Sequence, residues 1–240
     1  MLFYYVRHGD PVYEIDGLTE TGKKQAAALA GRLTLYGLDE IYCSTAGRAQ
    51  LTAAPTCAAL GIKPVLLDWT NERYPWEELT VLNAEKTERH WLFQLPELYE
   101  KMKSPEIRAA GTKWYDHEYF REYGFGKGIE RIDRETDNFF LSLGFRHDRE
   151  YGRYEVVKEN GKRVALFAHQ GFGEAFLSSL LDIPYPAFCT RFDFGHSSVT
   201  VVDFETSYGK YVYPRVLQLS NDSHLYKEGV LTGYNNEKNI

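Results

Sequence analysis

An arginine and a histidine follow the first apolar run of the chain. Residues 2–6 read Leu-Phe-Tyr-Tyr-Val and predict a buried strand, after which come Arg7, His8 and Gly9. Cationic side chains at the end of a buried strand cost stability unless they bind something anionic. The glycine would let a ligand approach the backbone closely. Three residues are weakly specific on their own, but they predict an anion site at this strand end.

Three more predicted strands end in residues that suit a phosphate. They are residues 41–43, leading to Ser44 and Arg48; residues 64–67, leading to Glu72; and residues 164–168, leading to His169. Ligands of an open α/β sheet lie outside the carboxyl ends of its strands. We therefore expect the four strand ends to meet in one crevice.

These residue types suit phosphoryl transfer through a phosphohistidine. A neutral His8 would attack phosphorus with one ring nitrogen while the other donates to a backbone carbonyl. Arg7, Arg48 and a protonated His169 would hold the equatorial oxygens. Glu72 would protonate the leaving oxygen and then take a proton from water. Because side chains supply the positive charge, we predict no metal and no cofactor, and a reaction indifferent to chelators.

Taken singly, each residue also has an ordinary structural explanation. A histidine at a strand end is often a satisfied structural residue, Arg48 could lie on a solvated helix, and Glu72 could belong to a surface loop. Their joint occurrence in this order favours a site. We assign three further residues to phosphate binding, namely Gly9, Gln170 and His196.

Composition limits the class of protein. The 240 residues are 43% apolar and 26% charged, which is ordinary for a globular chain. The net charge of −6 argues against a nucleic-acid partner, and no stretch reaches membrane-spanning length. Cys43, Cys57 and Cys189 form no C-x-x-C pair and predict free, buried thiols. Without a secretion signal at the start, we expect a cytoplasmic protein, with a small phosphorylated metabolite as its partner and the oligomeric state left open.

The periodicity predicts β-α-β-α-β over the first 67 residues, and hence a parallel sheet with right-handed crossovers. Thr19 is the expected N-cap of the first helix, which Gly37 ends; the second helix covers residues 47–60. Residues 73–151 are dense in charge and aromatic rings and predict a mainly helical insertion. Its clearest helix is 129–143, preceded by a glycine-rich stretch, residues 124–128, which we interpret as a flexible connection.

The last third predicts a hairpin and two final strands. Asn160-Gly161 lies between residues 154–157 and 164–168, an arrangement typical of a β-hairpin. A helix is expected over 174–181, and strands over 198–204 and 211–219. We expect the tail, with Asn235, Asn236 and Asn239, to be frayed.

Together, these motifs resemble the histidine phosphatase superfamily, which includes the phosphoglycerate mutase-like enzymes. The matching segments are residues 7–10, 18–26, 41–53, 71–73 and 169–171. The resemblance is dense over residues 1–73 and returns from about residue 163 to 205. It implies one domain over 1–240 with a three-layer α/β/α fold. The sheet would be mostly parallel with an antiparallel edge strand, and the transient phosphohistidine would form on His8.

Two departures from the family pattern concern the proton donor. The second histidine is usually followed directly by glycine, whereas here Gln170 intervenes. In the acid phosphatase branch an aspartate follows that histidine as proton donor, a role that Gln170 cannot fill. The chain therefore resembles the other branch, in which the acid lies near Glu72, with Glu77 and Glu78 as rivals.

The choice between hydrolysis and transfer depends on the segment after the first motif. The related mutases carry Trp and Asn there, but residues 11–14 read Pro-Val-Tyr-Glu. We therefore predict a phosphomonoester hydrolase. The alternatives are a phosphosugar mutase and an inactive relative that binds a phosphorylated ligand. The aromatic insertion would be a cap that sets specificity, or its rings would simply pack its own helices.

Overall fold

The computed structural model describes residues 1–207 and 209–232. Asn235, Asn236 and Asn239, which were expected to be frayed, lie outside these residues. Within the described ranges, every helix is too short or too polar to cross a lipid bilayer.

The chain alternates strands and helices. The strands are β1 (Leu2–Arg7), β2 (Pro11–Val12), β3 (Gly17–Leu18), β4 (Glu40–Ser44), β5 (Val65–Leu67), β6 (Thr80–Leu82), β7 (Arg89–Trp91), β8 (Phe145–Asp148), β9 (Arg153–Val156), β10 (Arg163–Ala168), β11 (Val199–Asp203), β12 (Tyr211–Val212) and β13 (Arg215–Asn221). The α-helices are α1 (Glu20–Tyr36), α2 (Gly47–Leu60), α3 (Arg73–Glu78), α4 (Pro96–Met102), α5 (Pro105–Ala110), α6 (Gly126–Ser142), α7 (Gln170–Leu180), α8 (Tyr185–Cys189) and α9 (Ser223–Lys227).

A six-stranded sheet forms the centre of the molecule, in the order β13-β11-β1-β10-β4-β5. Strands β1, β10, β4 and β5 are parallel. Strand β11 runs antiparallel to β1, and the edge strand β13 pairs antiparallel with β11. The register places Arg7 of β1 opposite Ala168 of β10. The residues that follow these two strands, His8 and His169, therefore leave the sheet side by side.

Helices cover both faces of this sheet, as the three-layer expectation requires. The side chains of β1 alternate between two cores, because successive strand residues point to opposite faces. Phe3 and Tyr5 join the core beneath α6 and α7, whereas Tyr4 and Val6 join the core beneath α1 and α2. Helix α1 begins as expected, since the Thr19 hydroxyl accepts a hydrogen bond from the Gly22 amide.

The predicted hairpin around Asn160-Gly161 is wrong. Strand β10 pairs with β1 and β4, while β9 pairs with β8 and β12 in a separate three-stranded sheet. Residues 164–168 are all buried, so they gain more from the centre of the parallel sheet than from a two-stranded ribbon. The predicted strand 211–219 divides into β12 and β13 at Pro214, which has no backbone N–H for a ladder.

The insertion, residues 73–151, contains α3 to α6, the β6–β7 ribbon and β8. Many of its rings pack together as expected, since Trp114, Phe120 and Phe125 are fully buried in one cluster. The interpretation of residues 124–128 as a flexible connection is wrong. Helix α6 begins there, and its Gly126 and Gly128 lie so close to neighbouring side chains that a Cβ atom would clash.

Candidate active site

His8 lies at the carboxyl end of β1 and is only 1% exposed. Its Nδ1 is 2.7 Å from the Gly9 carbonyl oxygen, which can only accept, so Nδ1 carries the proton and Nε2 has the free lone pair. Burial, which disfavours the charged ring, and repulsion of a second positive charge by His169 and Arg7 hold the pKa of His8 well below its usual range. The ring is therefore neutral at neutral pH, in the state required of a nucleophile.

His169 follows β10 and is fully buried, with its ring centroid 5.3 Å from that of His8. Its Nε2 lies 2.8 Å from the Ser44 hydroxyl, and its Nδ1 lies 3.7 Å from a carboxylate oxygen of Glu72. Burial and the charges of Arg48 and Arg7 hold the pKa of His169 well below its usual range. The ring is thus neutral in the ligand-free protein, whereas the sequence hypothesis used its protonated form; a bound phosphate dianion would favour that proton.

Glu72 stands between the arginine and the second histidine. Its Oε2 accepts from Arg48 at 3.1 Å, and its Oε1 accepts from the Gly171 amide at 2.9 Å. The two rival carboxylates lie elsewhere. Glu77 is exposed, and Glu78 makes a bidentate pair with Arg131, with distances of 2.7–3.0 Å. Of the three candidates, Glu72 is therefore the carboxylate that the fold brings to the histidines.

A backbone carbonyl holds Arg7, whereas carboxylates hold Arg48. Arg7 is 1% exposed and donates to the Phe194 carbonyl oxygen. Arg48, at the start of α2, donates from its other terminal nitrogen to Asp16 at 2.5 Å. Asp16 also accepts from the Gly47 amide at 2.5 Å and has a left-handed backbone, with φ of 49°. Sequence reasoning missed Asp16, although Asp16-Gly17 is a typical turn pair.

The three further phosphate-binding candidates differ in their placement. His196 reaches the cluster, with its ring 6.1 Å from that of His8 and its Nδ1 3.4 Å from Asp10. The Gly9 amide instead donates to the Thr52 hydroxyl at 2.9 Å. The Gln170 amide nitrogen donates to Asp193 at 2.6 Å. The Gly9 backbone amide and the Gln170 side-chain amide are therefore engaged within the protein.

A cleft of about 630 Å³ opens beside the Arg48–Glu72 pair. Its lining combines amide, charged and aromatic side chains: Tyr13, Arg48, Asn71, Glu72, Arg73, Trp76, Trp91 and Gln94. Trp76, Trp91 and Gln94 come from the insertion, so this segment builds one wall of the cleft.

His8, Glu72 and His169 also form a set that could hold a metal ion. One ligand atom from each lies within 4.8 Å of the others. Two imidazoles and a carboxylate are a common donor set for zinc and other divalent transition metals. The same three residues thus fit either a metal-independent reaction or a metal site. A chelator distinguishes the two.

Solved structures share this three-layer α/β/α fold. One is a variant of the Entamoeba histolytica phosphoserine phosphatase in complex with phosphoserine, with 16% identity and a TM-score of 0.58, covering 93% of this chain and 98% of that one. Another is the alpha-ribazole phosphatase from Shigella flexneri, with 18% identity, a TM-score of 0.56 and coverages of 92% and 97%. A third is the mycobacterial glucosyl-3-phosphoglycerate phosphatase with inorganic phosphate, with 19% identity, a TM-score of 0.57 and coverages of 93% and 98%.

Residues 3–102 match the family described as histidine phosphatase superfamily (branch 1). This match covers the first part of the fold just described, and over these residues the chain is similar to that superfamily. No curated protein sequence matches the chain significantly.

Proposed function

We propose that this protein hydrolyses phosphomonoesters through a phosphohistidine formed on His8. The observation that carries the proposal is the geometry around His8: Nδ1 is committed to the Gly9 carbonyl, and ligand atoms of Glu72 and His169 lie within 4.8 Å. The superfamily match supports it, as do structural neighbours that are themselves named as phosphatases.

In the first step, the lone pair of His8 Nε2 attacks phosphorus and the bond from phosphorus to the ester oxygen breaks. Arg7 and Arg48 hold the non-bridging oxygens, and His169 adds a donor once the phosphate has raised its proton affinity. Glu72, in its acid form, gives its proton to the leaving oxygen, so the alcohol departs neutral.

In the second step, water attacks the phosphorus of the phosphohistidine. Glu72, now a carboxylate, takes a proton from that water, and the nitrogen–phosphorus bond breaks to return neutral His8 and inorganic phosphate. His196, near both His8 and Asp10, is a further donor toward the phosphate oxygens. No metal ion takes part in either step.

The insertion and the cysteines also bear on the proposed function. The insertion serves as a cap within a single domain, with the cleft as the entry for a small phosphorylated metabolite. The three cysteines are free and buried, which suits a reducing compartment such as the cytoplasm.

The test is the substitution His8→Ala. Turnover of p-nitrophenyl phosphate should be abolished, and the acid-labile phosphoryl label that the wild type acquires from radiolabelled substrate should disappear. His117→Ala is the matched control, because this histidine lies in the insertion next to Tyr119 and lines no part of the cleft. It should keep both activity and label. Full turnover by a folded His8→Ala variant would refute the nucleophile assignment.

The same assay in EDTA tests the metal-independent chemistry. Activity should survive dialysis against the chelator. Loss of activity that added zinc restores would assign His8, Glu72 and His169 to a metal centre instead.

A further inference from the structure

Exposed aromatic side chains line the cleft beside the proposed phosphate site. Trp76 is 38% exposed and Tyr13 60% exposed, and both line the cleft with Trp91. Clustered apolar rings around a concave surface mark ligand sites. A cleft of about 630 Å³ also has the size of a small-molecule site.

The rings lie next to residues of the proposed site. Trp91 lies against the start of α7, so close that a Cβ on Gly171 would clash with the six-membered part of its indole. Trp76 meets Trp91 edge to face, with centroids 5.3 Å apart. The Tyr13 ring lies 5.4 Å from the guanidinium carbon of Arg48. The leaving group of an ester bound at the phosphate site would thus meet aromatic side chains.

The charged side chains that line this cleft are Arg48, Glu72 and Arg73. The first two pair with each other, and the Arg73 guanidinium donates to Asp68 at 2.7 Å and stacks on Tyr74 at 4.6 Å. The positive charge of Arg73 is therefore already compensated. Nothing in the aromatic part of the described lining calls for a second anionic group on the substrate.

We infer that the leaving group of the substrate carries an uncharged aromatic ring that packs against Trp76 and Trp91. This inference rests on the proposed function and names the substrate class of the same site. Flat rings pack edge to face or offset on tryptophan, and such contacts add to the gain from burying their area. A saturated ring of equal size lacks that added contribution.

The test compares 2-phenylethyl phosphate with 2-cyclohexylethyl phosphate. Both release a primary alcohol, so their intrinsic reactivity is matched and only the ring differs. The wild type should show a kcat/KM about 3- to 10-fold higher for the phenyl ester, mainly through a lower KM. Trp76→Ala should bring this ratio close to one, whereas Trp76→Phe should keep most of it. Tyr226→Ala, which removes a ring that is 92% exposed outside the cleft lining, is the control and should leave the ratio unchanged.

A binding measurement separates this inference from the proposed function. The non-hydrolysable 3-phenylpropylphosphonate should bind more tightly than its cyclohexyl analogue by a similar factor, and Trp76→Ala should remove the difference. If no monoester is turned over but this preference persists, the proposed hydrolysis fails and the aromatic site stands. Hydrolysis of p-nitrophenyl phosphate with equal constants for the two rings, or a preference that survives in Trp76→Ala, would overturn the aromatic site alone.

Discussion

Asp16 lies outside the proposed reaction but holds Arg48, a proposed phosphate ligand, in position. Its carboxylate holds both the Arg48 guanidinium and the Gly47 amide at 2.5 Å. Arg48 lies between this carboxylate and Glu72. Without Asp16, the guanidinium would lose one of its two carboxylate partners and could turn away from the proposed phosphate position.

We expect Asp16→Asn to lower kcat/KM for p-nitrophenyl phosphate about 10- to 100-fold, because a hydrogen bond to a charged group contributes about 1.5–3 kcal/mol. Asparagine tolerates the left-handed backbone, so the fold should persist. The loss should lie mainly in KM if Arg48 binds ground state and transition state alike. Asp116→Asn, an exposed position of the insertion, is the control. If Asp16→Asn lowered the unfolding midpoint but left the turnover kinetics unchanged, Asp16 would have only a structural role.

The sequence predicts His8, Arg48, Glu72 and His169 because each follows a strand, and strand ends of a parallel sheet converge. This reasoning does not predict Asp16. Its partner Gly47 is 31 residues away, and the contact arises only when the turn after β2 meets the start of α2. A local pattern carries no signal for such a pair.

At the scale of elements, the start of α7 connects the chemistry with the insertion. The Gly171 amide in its first turn holds Glu72 at 2.9 Å, while Trp91 of β7 fills the space where a side chain would be. Helix α7 thus fixes the carboxylate and the aromatic wall at once.

We predict that Gly171→Ala destabilises the protein by about 1–3 kcal/mol and also lowers activity, because the new methyl group displaces Trp91 or α7. Gly31→Ala is the matched control. It lies inside α1, and a methyl group there would have open space around it, so the change should stabilise the fold by about 0.4–1 kcal/mol. Urea unfolding and p-nitrophenyl phosphate turnover measure both effects. Equal behaviour of the two variants would contradict the role given to the Trp91 contact.

Elements were predictable where capping and periodicity agree, as in α1, which begins after Thr19 and ends before Gly37. Elements were less predictable where a turn signal within a few residues competes with strand pairing over a long distance in the sequence. The Asn160 side chain does make one local bond, accepting from the Lys162 amide, yet the strands beside it pair elsewhere. Burial of β10 between β1 and β4 outweighs the turn preference.

At the scale of the whole molecule, His147 joins three parts of the fold away from the cleft. Its ring is buried, with Nδ1 2.7 Å from Asp137 of α6 and Nε2 2.7 Å from Asp182 after α7. Arg149 completes the cluster through Asp137 at 2.8 Å, and the Tyr154 ring of β9 stacks on the imidazole. Burial lowers the pKa of His147, but the hydrogen bonds to Asp137 and Asp182 outweigh it and leave the pKa above the usual value of 6.5.

A pKa raised by folding stabilises the protein at low pH. The contribution of His147 is fully present below pH 6.5 and is lost as pH rises from there through the folded-state pKa. We expect the free energy of unfolding to fall across that window, with a slope of at most about 1.4 kcal/mol per pH unit from this one proton. His147→Gln should remove this component of the slope, and His117→Gln should keep it. Urea unfolding at several pH values measures the slope; an identical slope in His147→Gln would contradict the assignment.

His8 and His169 follow β1 and β10, two neighbouring hydrogen-bonded strands whose register sets Arg7 beside Ala168. The spacing of these two strands therefore sets how far apart the imidazoles begin. Heat or a distant mutation can part the pair only by opening β1 from β10, which are buried at the middle of the structure. On heating, activity should therefore be lost in the same transition in which the central sheet unfolds. The aromatic wall is supplied by a separate segment, so it is free to diverge while the reactive pair stays constant.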